Sequence, residues 1–291
     1  MTAVPRSHPI DGPTGPLVVH EWHGAERGRD TPATLLAHPT GFHGRVWAPV
    51  AERLVAAGRR VWSFDFRGHG DSNAPDPGRD PYRWAGFAAD ARAVVEHLGV
   101  AADPALVACG HSKGAAALLL GESDRPGTYA RIWAYEPIVF PSELSGISNE
   151  SMAGGARRRR NEYASIDEAY DAYAAKPRLG AMTPESLRAY VEYGLRDRGD
   201  GVFELKCRPE VEGSVYAMAP TNGVWEILPA VECPVLVAGG ETSRDIDPDL
   251  ARRVAERLAH GDLEVWPGVG HFGPQQDPDA CAASVLRFAD S

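Results

Sequence analysis

The most constraining stretch of this 291-residue chain is Val107-Ala108-Cys109-Gly110-His111-Ser112-Lys113-Gly114-Ala115-Ala116-Ala117. A β-prone run from Ala105 to Cys109 meets a serine with a glycine two residues to either side, and a helix-prone run from Ala115 to Leu120 follows at once. G-x-S-x-G between a strand and a helix is the pattern of a nucleophile elbow. The turn is so sharp that the serine takes a strained backbone, and side chains at the flanking glycines would collide. Five residues of this kind also recur by chance. The reading therefore requires an acid and then a histidine further along the chain.

The surrounding pattern supplies an architecture. Strands are expected at Leu17–Trp22, Ala33–Ala37, Arg60–Phe66, Ala105–Cys109, Arg131–Tyr135, Val235–Gly239 and Leu263–Trp266. Helices are expected from about Val46, over Phe87–Leu98, from Ala115 to about Gly121, over Pro248–Leu258 and over Pro278–Ala289. Such alternation predicts an α/β fold with a mostly parallel sheet covered on both faces. Between Pro141 and Asn222 the strand signal fades and helical patterns dominate at Ile166–Ala175, Pro184–Leu195 and Pro209–Met218. Thr183-Pro184 is an N-cap followed by proline at the first helical position. A helical block inserted at the ligand-binding end of an open sheet reads as a cap. The expected division is a core over 1–137 and 223–291, with the cap over 138–222.

Composition limits the partners. A net charge of −10 makes nucleic acid or an anionic membrane an unexpected partner. The run Arg157-Arg158-Arg159-Arg160 lies among Glu162, Asp167 and Glu168 and reads as a solvated helix face. Four cysteines without paired spacing suit reduced, buried thiols. Met1–Pro16 lacks the apolar centre of a signal peptide, and no apolar run approaches the ~20 residues of a membrane span. A cytoplasmic monomer or homodimer is expected.

Ser112 needs a base, because a free hydroxyl is a weak nucleophile at neutral pH. Of ten histidines, His271 follows the last strand in the glycine-flanked loop Gly268-Val269-Gly270-His271-Phe272-Gly273. The nearby His260 sits at a helix terminus, where a histidine ordinarily serves the dipole and solvent. His271 is the expected base. No histidine–carboxylate cluster has ligand spacing, so neither metal nor other cofactor is expected.

With the elbow, the loop Asp65-x-Arg67-Gly68-His69-Gly70-x-Ser72, the loop His38–Gly44 and Gly270-His271-Phe272, the chain resembles the α/β-hydrolase fold superfamily over essentially its whole length. The resemblance implies an oxyanion hole made by the backbone N–H after the nucleophile, here Lys113, and one from the His38–Gly44 loop. Many capped members read H-G-F-P-G there. The match to Gly41-Phe42-His43-Gly44 makes Phe42 the expected second donor, while His38, Gly41 and His111 are candidates for the substrate site. Asp65, Arg67, His69, His38 and His43 are expected to hold loops rather than move protons, and the Lys113 amide to matter more than its side chain, whose ammonium could touch the pocket mouth.

The acid departs from the common pattern. Many relatives carry G-x-x-D after the strand equivalent to Val235–Gly239, but this chain has Ser243 where the aspartate would be and Asp245 two residues on. Glu136, in Ala134-Tyr135-Glu136-Pro137-Ile138, stands at the end of the preceding strand, where one branch of the haloalkane dehalogenases is similar. Glu136 is the first choice and Asp245 the alternative. Epoxide hydrolases and haloalkane dehalogenases need an aspartate nucleophile, so Ser112 argues for acyl transfer on a small or medium-sized apolar or aromatic ester, lactone or thioester. C–C bond hydrolysis with the same triad, or a catalytically weak binding or signalling module, would share these motifs.

Overall fold

The computed structural model describes residues 4–24, 27–28, 30–76, 82–141, 143 and 149–291. Part of the Pro-rich loop after Ser72, residues 142 and 144–148 of the expected cap and the first three residues of Met1–Pro16 lie outside the described residues.

Eight strands form the central sheet: β1 (Arg6–Ile10), β2 (Leu17–Glu21), β3 (Ala33–Ala37), β4 (Arg60–Asp65), β5 (Val107–His111), β6 (Arg131–Tyr135), β10 (Val235–Gly240) and β11 (Gly261–Trp266). Their order is β1-β2-β4-β3-β5-β6-β10-β11. The pairs from β4 through β3, β5, β6 and β10 to β11 are parallel, while β1–β2 and β2–β4 are antiparallel. Every residue of β3, β4 and β5 is buried, as expected of strands covered on both faces. The elbow strand β5 lies between β3 and β6, which brings the loop after β3 and the end of β6 to either side of Ser112.

Helices α1 (Ala48–Ala56), α2 (Trp84–Leu98), α3 (Lys113–Asp124), α9 (Pro248–Arg257) and α11 (Pro278–Ala289) cover the sheet, with the short α10 (Gly273–Gln276) just before α11. Local signals set their ends. Gly99, in the left-handed region at φ 66°, stops α2, and Asp247 and Asp277 cap α9 and α11 by accepting from Leu250 and Ala280 N–H.

The segment between β6 and β10 carries α4 (Glu150–Arg157), α5 (Ile166–Ala174), α6 (Pro184–Gly194), α7 (Pro209–Met218) and the short α8 (Val224–Ile227). The side chain of Thr183 caps α6, accepting from Ser186 N–H, with Pro184 in the first turn. The segment also holds a feature absent from the sequence reading. Strands β7 (Glu162–Tyr163), β8 (Leu195–Asp197) and β9 (Phe203–Leu205) form a separate antiparallel sheet. Two or three residues are too few to display a period of two. The first strand, β1, was likewise hidden by its Pro/Gly-rich surroundings.

All four cysteines are buried and free. Among the described residues no helix is long and apolar enough to cross a membrane.

Candidate active site

Ser112 joins β5 to α3 with φ 56° and ψ −116°. A non-glycine residue held there costs about 1–3 kcal/mol, so the surroundings must impose the conformation. Ser112 N–H donates to Tyr135 O at 2.9 Å, and its carbonyl accepts from Ala116 N–H at 3.1 Å and Ile138 N–H at 3.3 Å. The flanking glycines are steric requirements. A Cβ on Gly110 would lie 2.4 Å from Ala115 backbone, and one on Gly114 would lie 2.3 Å from Ala37 O.

His271 donates from Nδ1 to Glu136 Oε2 at 2.6 Å, which leaves Nε2 as the basic nitrogen. Glu136 ends β6, is wholly buried, and has φ 42°. Gly240 N–H donates to its Oε1 at 2.9 Å, and Ser243 Oγ donates to its Oε2 at 2.8 Å. Tyr135, its neighbour, donates its hydroxyl to Gly270 O at 2.7 Å and so also ties down the histidine loop. Asp245 instead pairs with Arg178. Of the two acids considered, Glu136 is the one against the imidazole. Ser243, at the position where relatives carry an aspartate, contributes a hydroxyl to the carboxylate that arrives from β6.

The loop after β3 is held by buried polar groups. His38 Nε2 accepts from Phe66 N–H at 3.1 Å, so Nδ1 carries the proton and donates to Pro39 O at 2.8 Å. Asp65 accepts from Gly44 N–H at 2.6 Å and Asp71 N–H at 2.8 Å. Burial opposes its charge, but His20, His43 and the Asp71 amide hold it below the usual carboxylate range. His43 donates from Nε2 to Tyr190 O on α6 at 3.0 Å, and burial pushes its pKa down to about 4. Arg67 and Asp90 pair in the core at 2.6 and 2.9 Å.

Several expectations need correction. Phe42 N–H donates to Pro39 O at 3.3 Å and closes a turn, so the amide expected to face an oxyanion is already engaged. The Phe42 ring lines the cavity. Thr40 also lines it, and its N–H makes no hydrogen bond among the described residues. Lys113, at the first turn of α3, has an amide without an intrahelical partner. His38, Gly41 and His111 do not line the cavity holding Ser112. His38 is turned into the loop it braces, Gly41 is covered by Glu212, and His111 lies beneath His271 with ring centres 4.9 Å apart. The Lys113 ammonium does not approach the pocket mouth. It is buried over the rings of Phe66 (4.2 Å) and Phe87 (4.7 Å), and burial pushes its pKa down to about 7.

Ser112 and His271 open on a cavity of about 600 Å³, the scale of a small-molecule site. Tyr173, Tyr190 and Tyr216, from the segment between β6 and β10, line it; Tyr163 instead packs on Tyr173. Arg159 does not belong to a solvated helix face. Helix α4 ends at Arg157, and Arg159 turns inward to line the cavity and meet Glu212 of α7 at 2.5 Å. Burial pushes the Glu212 carboxyl up, against the pull of Arg159. Both residues were missed as site residues, because four consecutive arginines give no signal of which one points inward. Among the described residues no group of three His, Cys, Asp or Glu side chains could hold a metal ion.

A serine that shares a cavity with an imidazole oriented by a buried carboxylate, with unengaged amides nearby, is equipped for nucleophilic attack on a carbonyl. A family model described as "Alpha/beta hydrolase family" matches residues 34–284. The chain is 28% identical over 248 residues to a monoacylglycerol lipase of Mycolicibacterium smegmatis, spanning 81% of this chain and 80% of the relative. It is 27% identical over 252 residues to a non-heme haloperoxidase of Rhodococcus erythropolis, spanning 82% and 85%. In fold it is similar to the crystal structure of E-2-(acetamidomethylene)succinate hydrolase, with a TM-score of 0.81, 20% identity and coverage of 98% and 99%.

Proposed function

This chain belongs to the alpha/beta hydrolase family, and from that premise we propose that it is a serine hydrolase acting on a small or medium-sized ester, lactone or thioester. The observation that carries the reading is the 2.6 Å contact of His271 Nδ1 with Glu136, in a cavity that His271 shares with Ser112. In this reading Ser112 Oγ attacks the carbonyl carbon as His271 Nε2 takes its proton. Glu136 fixes the imidazole tautomer and stabilises the imidazolium, without itself taking the proton. The tetrahedral oxyanion is received by the amides of Lys113 and Thr40, the latter taking the part expected of Phe42. One such donor is worth roughly 3 kcal/mol of transition-state stabilisation. The imidazolium protonates the leaving group, and the acyl-enzyme on Ser112 is cleaved by a water that His271 activates. The segment 138–222 acts as the cap that closes the site. Hydrolase-named relatives support the reaction class.

The test is labelling with a fluorophosphonate and hydrolysis of short p-nitrophenyl esters. Covalent mass on the peptide carrying Ser112, and loss of both labelling and turnover in Ser112→Ala, are expected. Turnover that persists in Ser112→Ala would sink the proposal.

A further inference from the structure

The chain carries a net charge of −10, yet its cavity is lined by Arg159, Lys176, Arg178 and Arg244 against only Glu212 and Asp245. Arg178 and Asp245 neutralise each other. Lys176 forms no ion pair among the described residues; its ammonium rests on the ring of Tyr173 at 4.3 Å. The acyl-transfer chemistry uses none of these cations. A low-dielectric cleft with an excess of one sign concentrates ligands of the other.

Arg159 is held differently from Arg67, an arginine buried in the core. Arg67 meets Asp90 side-on: Nε and Nη2 reach its two carboxylate oxygens at 2.9 and 2.6 Å, and Nη2 also reaches Gly86 O at 3.0 Å. That is a structural arginine with its carboxylate-binding face filled. Arg159 touches Glu212 only through Nη1, at 2.5 Å, while its Nε and Nη2 have no hydrogen-bond partner. The side chains are only 15% and 8% exposed, so solvent does not fill the gap. Nε and Nη2 are the two parallel donors that match the two oxygens of a carboxylate. Both are closed to water, so binding a ligand carboxylate requires the long side chain to turn, about its Glu212 contact, toward the cavity it lines.

We propose that Arg159, assisted by Lys176, is a carboxylate-binding subsite. The substrate is then an anion, an acyl compound with its scissile carbonyl at Ser112 and a free carboxylate held under the cap. The location of the scissile bond rests on the serine-hydrolase reading; the carboxylate subsite does not.

The experiment compares mono-p-nitrophenyl glutarate and adipate with the chain-matched neutral pentanoate and hexanoate esters. In the wild-type protein kcat/KM should favour the charged esters by about tenfold or more, the worth of a charge-assisted pair. The ratio should fall to near one in the double variant Arg159→Met, Glu212→Gln, which removes the cation without orphaning the buried carboxylate. It should fall partway in Lys176→Met, at an exposed position that does not threaten folding. A wild-type ratio near one, or a ratio unchanged in these variants, overturns the subsite and leaves the hydrolase reading standing. Calorimetric binding of glutarate to Ser112→Ala separates the two claims. Binding that is lost on adding Arg159→Met sustains the subsite even if no ester is turned over, and absence of binding counts against it.

Discussion

On the sheet side of the cavity, Ser112 and Glu136 sit at strand ends on strained backbone, and the Glu136 carboxylate has three hydrogen-bond donors around it. On the cap side, Arg159 follows a short helix, keeps two nitrogens without partners, and shares a buried pair with Glu212. The first wall is preorganised: its groups are fixed before any substrate arrives, as transition-state stabilisation requires. The second is underfilled and awaits a partner. Under the proposed function, chemistry falls to the core and selection to the cap, and each half of that proposal can be broken.

The largest effect should come from the acid. Glu136→Gln keeps the shape but loses the charge that orients His271, and kcat should fall by about 10⁴-fold, as in other triads. Asp245→Asn should change kcat by no more than about threefold, since Asp245 is engaged with Arg178. Equal losses in the two variants, measured by steady-state kinetics, would break the preorganised picture of the sheet wall. Next comes the seam between the walls. A Cβ on Gly41 (φ 77°) would lie 2.3 Å from Glu212 Oε1, so Gly41→Ala must displace the loop or the cap. A displacement of about 1 Å predicts a kcat loss on the order of 100-fold. Unaltered kcat would show that the walls are independent.

The third prediction concerns Lys113, a charge that neither wall uses. Its folded pKa of about 7 lies below the unfolded 10.5, so the folded state binds fewer protons between those values, and stability rises with pH across that window. Lys113→Met should stabilise the protein by roughly 1–4 kcal/mol at pH 6 and by less at pH 9. Urea unfolding at both pH values checks the sign; a destabilised variant at pH 6 would show that the ammonium supports the fold. The smallest effect is Ser243→Ala, which removes one hydrogen bond to Glu136 and should cost about 1 kcal/mol, or roughly fivefold in kcat.

The same contrast explains what the sequence could reveal. The elbow was legible because its demands are local: glycine at 110 and 114, a strand before and a helix after. His271 was legible because it alone lies beyond both acid candidates in the chain and directly after a strand. The acid stayed open between Glu136 and Asp245, since the choice depends on β6 and β10 being neighbours, a fact of the folded sheet. The loop amide was misplaced because which N–H remains free depends on a turn that Phe42 closes onto Pro39. Arg159 was hidden because charge patterning describes a helix face, and this residue lies beyond the end of its helix. Elements without tertiary dependence, such as Pro209–Met218 and Pro278–Ala289, were read to the residue.

The seam between the walls bears on timing. His43 joins the loop after β3 to Tyr190, and Glu212 presses on Gly41 of the same loop, so the proposed cap holds the segment that carries Thr40. Lifting the cap far enough to admit a substrate would release both contacts and slacken that segment. An open molecule would then be an incompetent one. Under the proposed mechanism, water arriving with the substrate would meet a serine whose oxyanion support is still incomplete, and closure would be the step that arms it.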